Sequence, residues 1–284
     1  MVLPVLDRAA PPAPGPGPAP VVTYALIAVS ALVLLLGPSG VNPLYGTGAA
    51  RLCAEQRYEH RWGAVPAELI DRRPLSAERL QQIAPVTPDC VLSPTPGKVP
   101  ALSVLTSLFV HAGWLHLLGN LLFLFVFGPG VERRLGRARF LLCYLAIGYL
   151  ATYGFALAEA RTPDAVRALV GASGAIAGVL GAYLRLYPRA RVTTLVPVLL
   201  FLPLRFPAWL VLGLWFALQW WSVRDGGSGV AYLVHVIGFT AGWLFTWAAC
   251  PRTAGPPAAR PPTGRRGDRA ADTLAAPPFT GAPE

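Results

Sequence analysis

The sequence predicts an all-α polytopic membrane protein, a bundle of six transmembrane helices with a long first extracytoplasmic loop. Two observations carry this reading. The 284 residues are 54% hydrophobic and only 13% charged, with a mean hydropathy of +0.49, whereas a soluble domain carries about 25% charged residues. Six apolar stretches are also long enough to cross a hydrocarbon layer, which takes roughly 17–25 helical residues. The apolar content excludes a disordered chain, and four Cys in so long a sequence exclude a disulfide scaffold.

The Pro-rich residues 1–20 are expected to be a disordered tail. The first span follows at Val21–Gly37. It has little positive charge before it and no small-x-small cleavage pattern after it, so it is expected to stay as an anchor. Residues 38–100 form the long loop, read as a small folded cap. The remaining spans are Ala101–Phe127, Phe140–Ala158, Leu169–Leu186, Phe206–Val223 and Val230–Cys250. Val192–Leu204 is apolar but short and carries Pro197 and Pro203, so it reads as interfacial or re-entrant. The Ala/Pro/Arg-rich residues 251–284 are expected to be a disordered cytoplasmic tail, leaving residues 21–250 as the membrane domain.

Charge fixes the orientation. Arg133, Arg134, Arg137 and Arg139 follow the second span; Arg185, Arg189, Arg191 and Arg205 separate the fourth from the fifth; Arg252, Arg260, Arg265, Arg266 and Arg269 follow the sixth. The short loops after the third and fifth spans are neutral. The positive-inside rule therefore places both termini in the cytoplasm of a multi-pass cell-membrane protein. The net charge of +10 is thereby explained by topology, and nucleic acid is not an expected partner. Cys53 and Cys90 both fall in the outer loop, where oxidising conditions allow a disulfide; the alternative is two separate thiols. Cys143 and Cys250 read as small packing residues.

Polar groups inside hydrocarbon are costly, so the few present need a reason. His111, His116 and Asn120 lie near the outer end of the second span, Gly171-Ala172-Ser173-Gly174 opens the fourth, and His235 stands at the outer end of the sixth. All three spans run inward from the same side, so these groups share one depth. A Ser hydroxyl becomes a nucleophile when a His takes its proton, and the oxyanion that forms needs donors aimed at it. Ser173 and His235 suit the first pair of roles; Asn120 and His116, beside Gly171, suit the last. No carboxylate lies in the spans, which points to a Ser–His dyad. Gly174, Gly178 and Gly181 on the fourth span, and Gly238 and Gly242 on the sixth, make small faces that let two helices approach closely. His111 reads as a packing or loop-bonding residue. A metal site of the three His is not expected without a carboxylate or HExxH helix, and no cofactor is expected. Glu132, among several Arg, reads as a helix-end or ion-pair partner, and the Trp-rich Leu214–Trp221 as an interfacial belt.

The run from Leu105 to Asn120, with His111-Ala-Gly-Trp-Leu-His116-Leu-Leu-Gly-Asn120, resembles the second helix of rhomboid intramembrane serine proteases. Gly171-Ala172-Ser173-Gly174 resembles their nucleophile motif, His235-Val-Ile-Gly238-Phe-Thr-Ala-Gly242 their last core helix, and Gly128-Pro-Gly-Val-Glu132-Arg-Arg-Leu-Gly136 their inner turn. The resemblance implies a rhomboid-like bundle in which Ser173 is the nucleophile and His235 the general base. It further implies that Asn120, His116 and the Ser173 N–H form the oxyanion hole. Substrates would be single-pass transmembrane proteins in the lipid bilayer, cut near the outer face at helix-breaking residues. The fifth span and its neighbouring loop, with Pro203, Pro207, Gly226 and Gly227, form the natural lateral gate. Two positions depart from the family: Leu102-Ser103 stands where a Trp-Arg pair is frequent, and Ala177 stands where an aromatic can stack on the His, so another contact must hold His235. The rival readings are a rhomboid-like pseudoenzyme that escorts clients, which usually lacks the Ser or His, and a transporter, which would show intramembrane acids or repeated broken helices.

Overall fold

The computed structural model describes residues 3–7, 19–39, 42–196, 202–225 and 231–250, all within one compact unit, Met1–Pro251. The fold is mostly helical. Three helices are both long and apolar enough to cross a membrane: α6 (Trp114–Leu135), α7 (Arg137–Glu159) and α10 (Tyr232–Ala249). Two shorter apolar helices, α1 (Val21–Leu36) and α8 (Ser173–Leu186), pack with them, and α9 (Ala208–Arg224) completes the set.

Helix α8 lies at the centre. Every residue from Gly174 to Tyr183 is buried, the pattern of a helix surrounded on all sides. Its main chain lies against that of α10. A Cβ on Gly238 would overlap the Gly174 carbonyl oxygen, one on Gly242 the Gly178 carbonyl, and one on Gly181 the Phe239 carbonyl. On the opposite flank Gly128 of α6 accommodates Thr23 of α1, whose methyl group would sit 2.8 Å from an added Cβ. Glu132, 2% exposed, closes the start of α1: its carboxylate accepts from the Val22 N–H (3.0 Å), the Thr23 N–H and the Thr23 hydroxyl (both 2.7 Å). A carboxylate there meets the orphan donors and positive end of a helix. By contrast α9 buries only Ala208 and Leu212.

Residues 42–100 fold into three helices, α2 (Gly48–Trp62), α3 (Pro66–Asp71) and α4 (Ala77–Leu80), followed by α5 (Pro100–Ser107). Pro66 and Pro100 each occupy the first turn, where no N–H is missed, and Ser76 caps α4 through the Arg79 N–H. Cys53 on α2 is bridged to Cys90, with an S–S distance of 2.03 Å. Val65, Ala67, Leu75 and Leu80 form a small core that also takes in Ala165, from the turn between α7 and α8. Beneath it Lys98 and Glu68 pair at 2.6 Å with both side chains 4% exposed, and Lys98 also donates to the His60 carbonyl. Burial lowers the Lys98 ammonium from its ordinary value, against the pull of Glu68.

Three expectations are corrected and one is given its local structure. The second span is not continuous from Ala101: α5 ends at Ser107 and α6 starts at Trp114, across a break in which Gly113 adopts φ +143°. The fourth helix starts at Ser173, four residues later than expected, because Leu169 is paired with Ala64 in an antiparallel bridge. Val192–Leu204, expected to be interfacial or re-entrant, has strand structure at both ends: β2 (Arg191–Val196) and β3 (Leu202–Pro207) pair antiparallel, from Arg191 opposite Pro207 to Val196 opposite Leu202. The β-branched Val192-Thr193-Thr194 run suits the inner strand, and Pro203 and Pro207 suit an edge. Finally, the N-terminal tail is not wholly structureless, since β1 (Leu3–Asp7) adds antiparallel to β2, giving the order β1-β2-β3. The expectations for Gly226, Gly227 and residues 251–284 lie outside the described residues.

Candidate active site

Ser173 is the first residue of α8 and half-buried. The segment leading to it is pinned twice. Leu169 exchanges hydrogen bonds with Ala64 at 2.7 and 3.0 Å, and the Gly171 N–H donates to the Ser107 carbonyl at 2.9 Å. Gly171 is required on two grounds. Its φ of +111° disfavours any side chain, and an added Cβ would stand 2.6 Å from His116 Cε1, 2.7 Å from His116 Nε2 and 3.5 Å from Asn120 Nδ2. The imidazole of His116 and the amide of Asn120 thus lie directly against the turn that carries Ser173.

Those two side chains come from α6, four residues and one helical turn apart. Asn120 is 8% exposed, and its Nδ2 is buried with no hydrogen-bond partner among the described residues. A buried amide donor without an acceptor costs about 1–3 kcal/mol, and this one stands beside Gly171. His111 lies in the α5–α6 break, 2% exposed. Its Nδ1 bonds the Phe109 carbonyl at 3.1 Å, and its ring meets that of His116 edge-on at 5.2 Å.

His235 is half-buried, one turn into α10. Its chain neighbour Val234 touches Gly174: a Cβ on that glycine would lie 2.5 Å from Val234 Cγ1. With Gly238 against the Gly174 carbonyl, the backbone contact of α8 and α10, which continues through Gly178 with Gly242 and Gly181 with Phe239, thus begins next to Ser173 and His235. No hydrogen bond joins the two among the described residues; in enzymes without substrate such pairs are commonly looser than in the reacting complex. Gly174, Gly238 and Gly242 all serve this helix contact.

What holds His235 was not anticipated. Its Nδ1 bonds the Gln219 Oε1 of α9 at 2.7 Å, with the Trp215 ring 5.9 Å and the Tyr232 ring 6.4 Å away. Ala177 lies against Gly238, and the aromatic neighbour comes instead from α9. The signal for Gln219 was present, since a lone amide in the run Trp215-Phe-Ala-Leu-Gln-Trp-Trp221 needs a partner in hydrocarbon.

Residues 100–252, just over half of the chain, match the Rhomboid domain family model. Two curated proteins of Bacillus subtilis (strain 168) are similar to this chain. The putative rhomboid protease YdcA is 46% identical over 81 residues, 28% of this chain and 39% of that protein. The rhomboid protease GluP is 44% identical over 84 residues, 28% of this chain and 15% of that protein. The aligned part thus spans less than half of either curated relative.

Proposed function

The chain belongs to the rhomboid family of multi-pass membrane proteins, and from that membership we propose that it is an intramembrane serine endopeptidase working through a Ser173–His235 dyad. The observation that carries this reading is the unpartnered, buried Asn120 amide set against Gly171 and His116 at the start of α8. Ser173 Oγ attacks the scissile carbonyl while His235 Nε2 takes its proton. The oxyanion accepts from Asn120 Nδ2, from His116 and from the Ser173 N–H, which as a first-turn amide has no partner within the helix. Collapse breaks the C–N bond as His235 returns the proton to the leaving amine, and water then hydrolyses the acyl-enzyme by the same route.

In this reading six helices span the cell membrane (α1, α6, α7, α8, α9 and α10), both termini are cytoplasmic, and the disulfide-bridged cap of residues 38–100 lies outside. Residues 1–20 and 251–284 are tails to a membrane domain of 21–250. The site opens to the extracytoplasmic side, and substrates are single-pass transmembrane segments that reach it laterally. Helix α9, which buries so little of itself, is the gate. Cross-linking α9 to α6 should stop cleavage; undiminished turnover would remove the gate.

A serine-directed fluorophosphonate probe tests the dyad. Wild type should label and Ser173→Ala should not, while His235→Ala labels far more slowly. Labelling that survives in Ser173→Ala overturns the nucleophile. An unlabelled wild type that still captures a transmembrane segment intact would favour the client-escort reading.

A further inference from the structure

The one side chain that grips the His235 imidazole comes from neither core helix that brings Ser173 and His235 together. Gln219 Oε1 stands 2.7 Å from His235 Nδ1, across the contact between α9 and α10. An amide oxygen only accepts, so the hydrogen of this bond is on Nδ1, and Nε2 keeps its lone pair. That is the tautomer a general base needs. In catalytic triads a carboxylate enforces it, but an unpaired carboxylate inside a bilayer is costly. An amide supplies the same acceptor without a charge.

We propose that Gln219 is the positioning residue of the reaction, fixing His235 as the Nδ1–H tautomer and steadying the imidazolium while it holds the Ser173 proton. The inference rests on the dyad reading above. Three observations favour it over simple packing. The bond is short, it is the one hydrogen bond of the His235 ring among the described residues, and Gln219 is the one amide in the whole of α9. Trp215 and Tyr232 enclose the ring but do not select a tautomer.

The test compares Gln219→Leu, which removes the acceptor while placing a side chain better suited to hydrocarbon, with Gln219→Glu, which keeps an acceptor oxygen at the same reach. Purified full-length protein in detergent is assayed on a transmembrane peptide. Gln219→Leu should lower kcat by about 10- to 100-fold, part of the 10²–10⁴ that a general base contributes, with KM within about twofold and an unchanged Tm. Gln219→Glu should restore most of kcat. Nitrogen NMR of His-labelled protein should show His235 as the Nδ1–H form in wild type and a tautomer mixture in Gln219→Leu. Wild-type kcat in Gln219→Leu, an unaltered tautomer there, or equal losses in both variants would overturn the proposal. Should wild type neither cleave nor label at Ser173, the endopeptidase reading falls by itself, and the nitrogen signature still decides whether Gln219 orients the ring.

Discussion

The buried carboxylate of Glu132, near the end of α6, accepts two backbone amides and the Thr23 hydroxyl at the start of α1, 109 residues away in the chain. It ties the first helix to the bundle by a charge-assisted cap. Glu132→Ala leaves three donors, two of them buried, without an acceptor and should cost about 2–4 kcal/mol; Glu132→Gln should cost less. Thermal unfolding in detergent measures both, and an unchanged Tm in Glu132→Ala would show that the cap is energetically idle.

Asn120→Ala removes the unpartnered donor beside Gly171. Loss of one such donor lowers kcat by about 10²–10³, whereas KM should hardly move because the amide meets no ground-state partner. Steady-state kinetics on a transmembrane peptide check this. A rise in KM at constant kcat would assign Asn120 to substrate binding instead.

Gly242 and Gly213 make a matched pair. A methyl group on Gly242 collides with the Gly178 carbonyl, whereas one on Gly213 of α9 meets nothing within 4 Å. Gly242→Ala should destabilise by about 1–3 kcal/mol or more. Gly213→Ala should be neutral or gain up to about 1 kcal/mol from helix propensity. Their Tm values, read side by side, separate main-chain contact from generic helix effects.

The Cys53–Cys90 bridge closes 37 residues of the cap. Chain entropy assigns such a closure about 4 kcal/mol. Cys53→Ser with Cys90→Ser should therefore make residues 48–98 susceptible to protease before α6 and α7 unfold. Equal protease resistance in the two forms would show that the Val65–Leu80 core suffices alone.

Stability should respond to pH through two neighbours on α2. Burial, then Glu55, raises the Glu59 carboxyl to about 7, against the opposing Arg167; burial, then Lys98, lowers the His60 imidazole to about 4. A raised carboxyl makes the folded state hold more protons, so its contribution falls as pH rises from the unfolded value towards 7. A lowered imidazole does the reverse between about 4 and its unfolded value. The two oppose each other over roughly pH 4.5–6.5. Glu59→Gln should therefore make Tm rise more steeply with pH across that window than it does in wild type. A profile in that variant no steeper than that of wild type would count against the raised Glu59 carboxyl.

How much of this was legible in the sequence depends on the distance over which each feature is decided. Helices α6, α7 and α10 are written in local apolar length, and the glycine faces of α8 and α10 in local spacing. The α5–α6 break was invisible because Leu108-Phe109-Val110 is as apolar as the helices beside it; at the end of α5 the Ser107 carbonyl accepts from Gly171, and Gly113 marks the start of α6. The hairpin was missed because Val192-Thr-Thr-Leu-Val196 does not alternate apolar and polar residues, and β1 because its partner lies about 190 residues away. The candidate site residues sit in compact motifs on three helices and could be named in advance. Gln219 stands out in sequence only as an amide in need of a partner; its pairing with His235 was not legible, since that bond reaches a different helix.

Where two helices meet backbone to backbone, as at Gly174, Gly178, Gly238 and Gly242, sliding one past the other drives carbonyl oxygens into α-carbons. The register of α8 on α10 is therefore locked. Thinning or thickening the surrounding lipid will tilt the bundle or reshape its outer helices before it alters the spacing between Ser173 and His235, which makes that spacing indifferent to acyl-chain length.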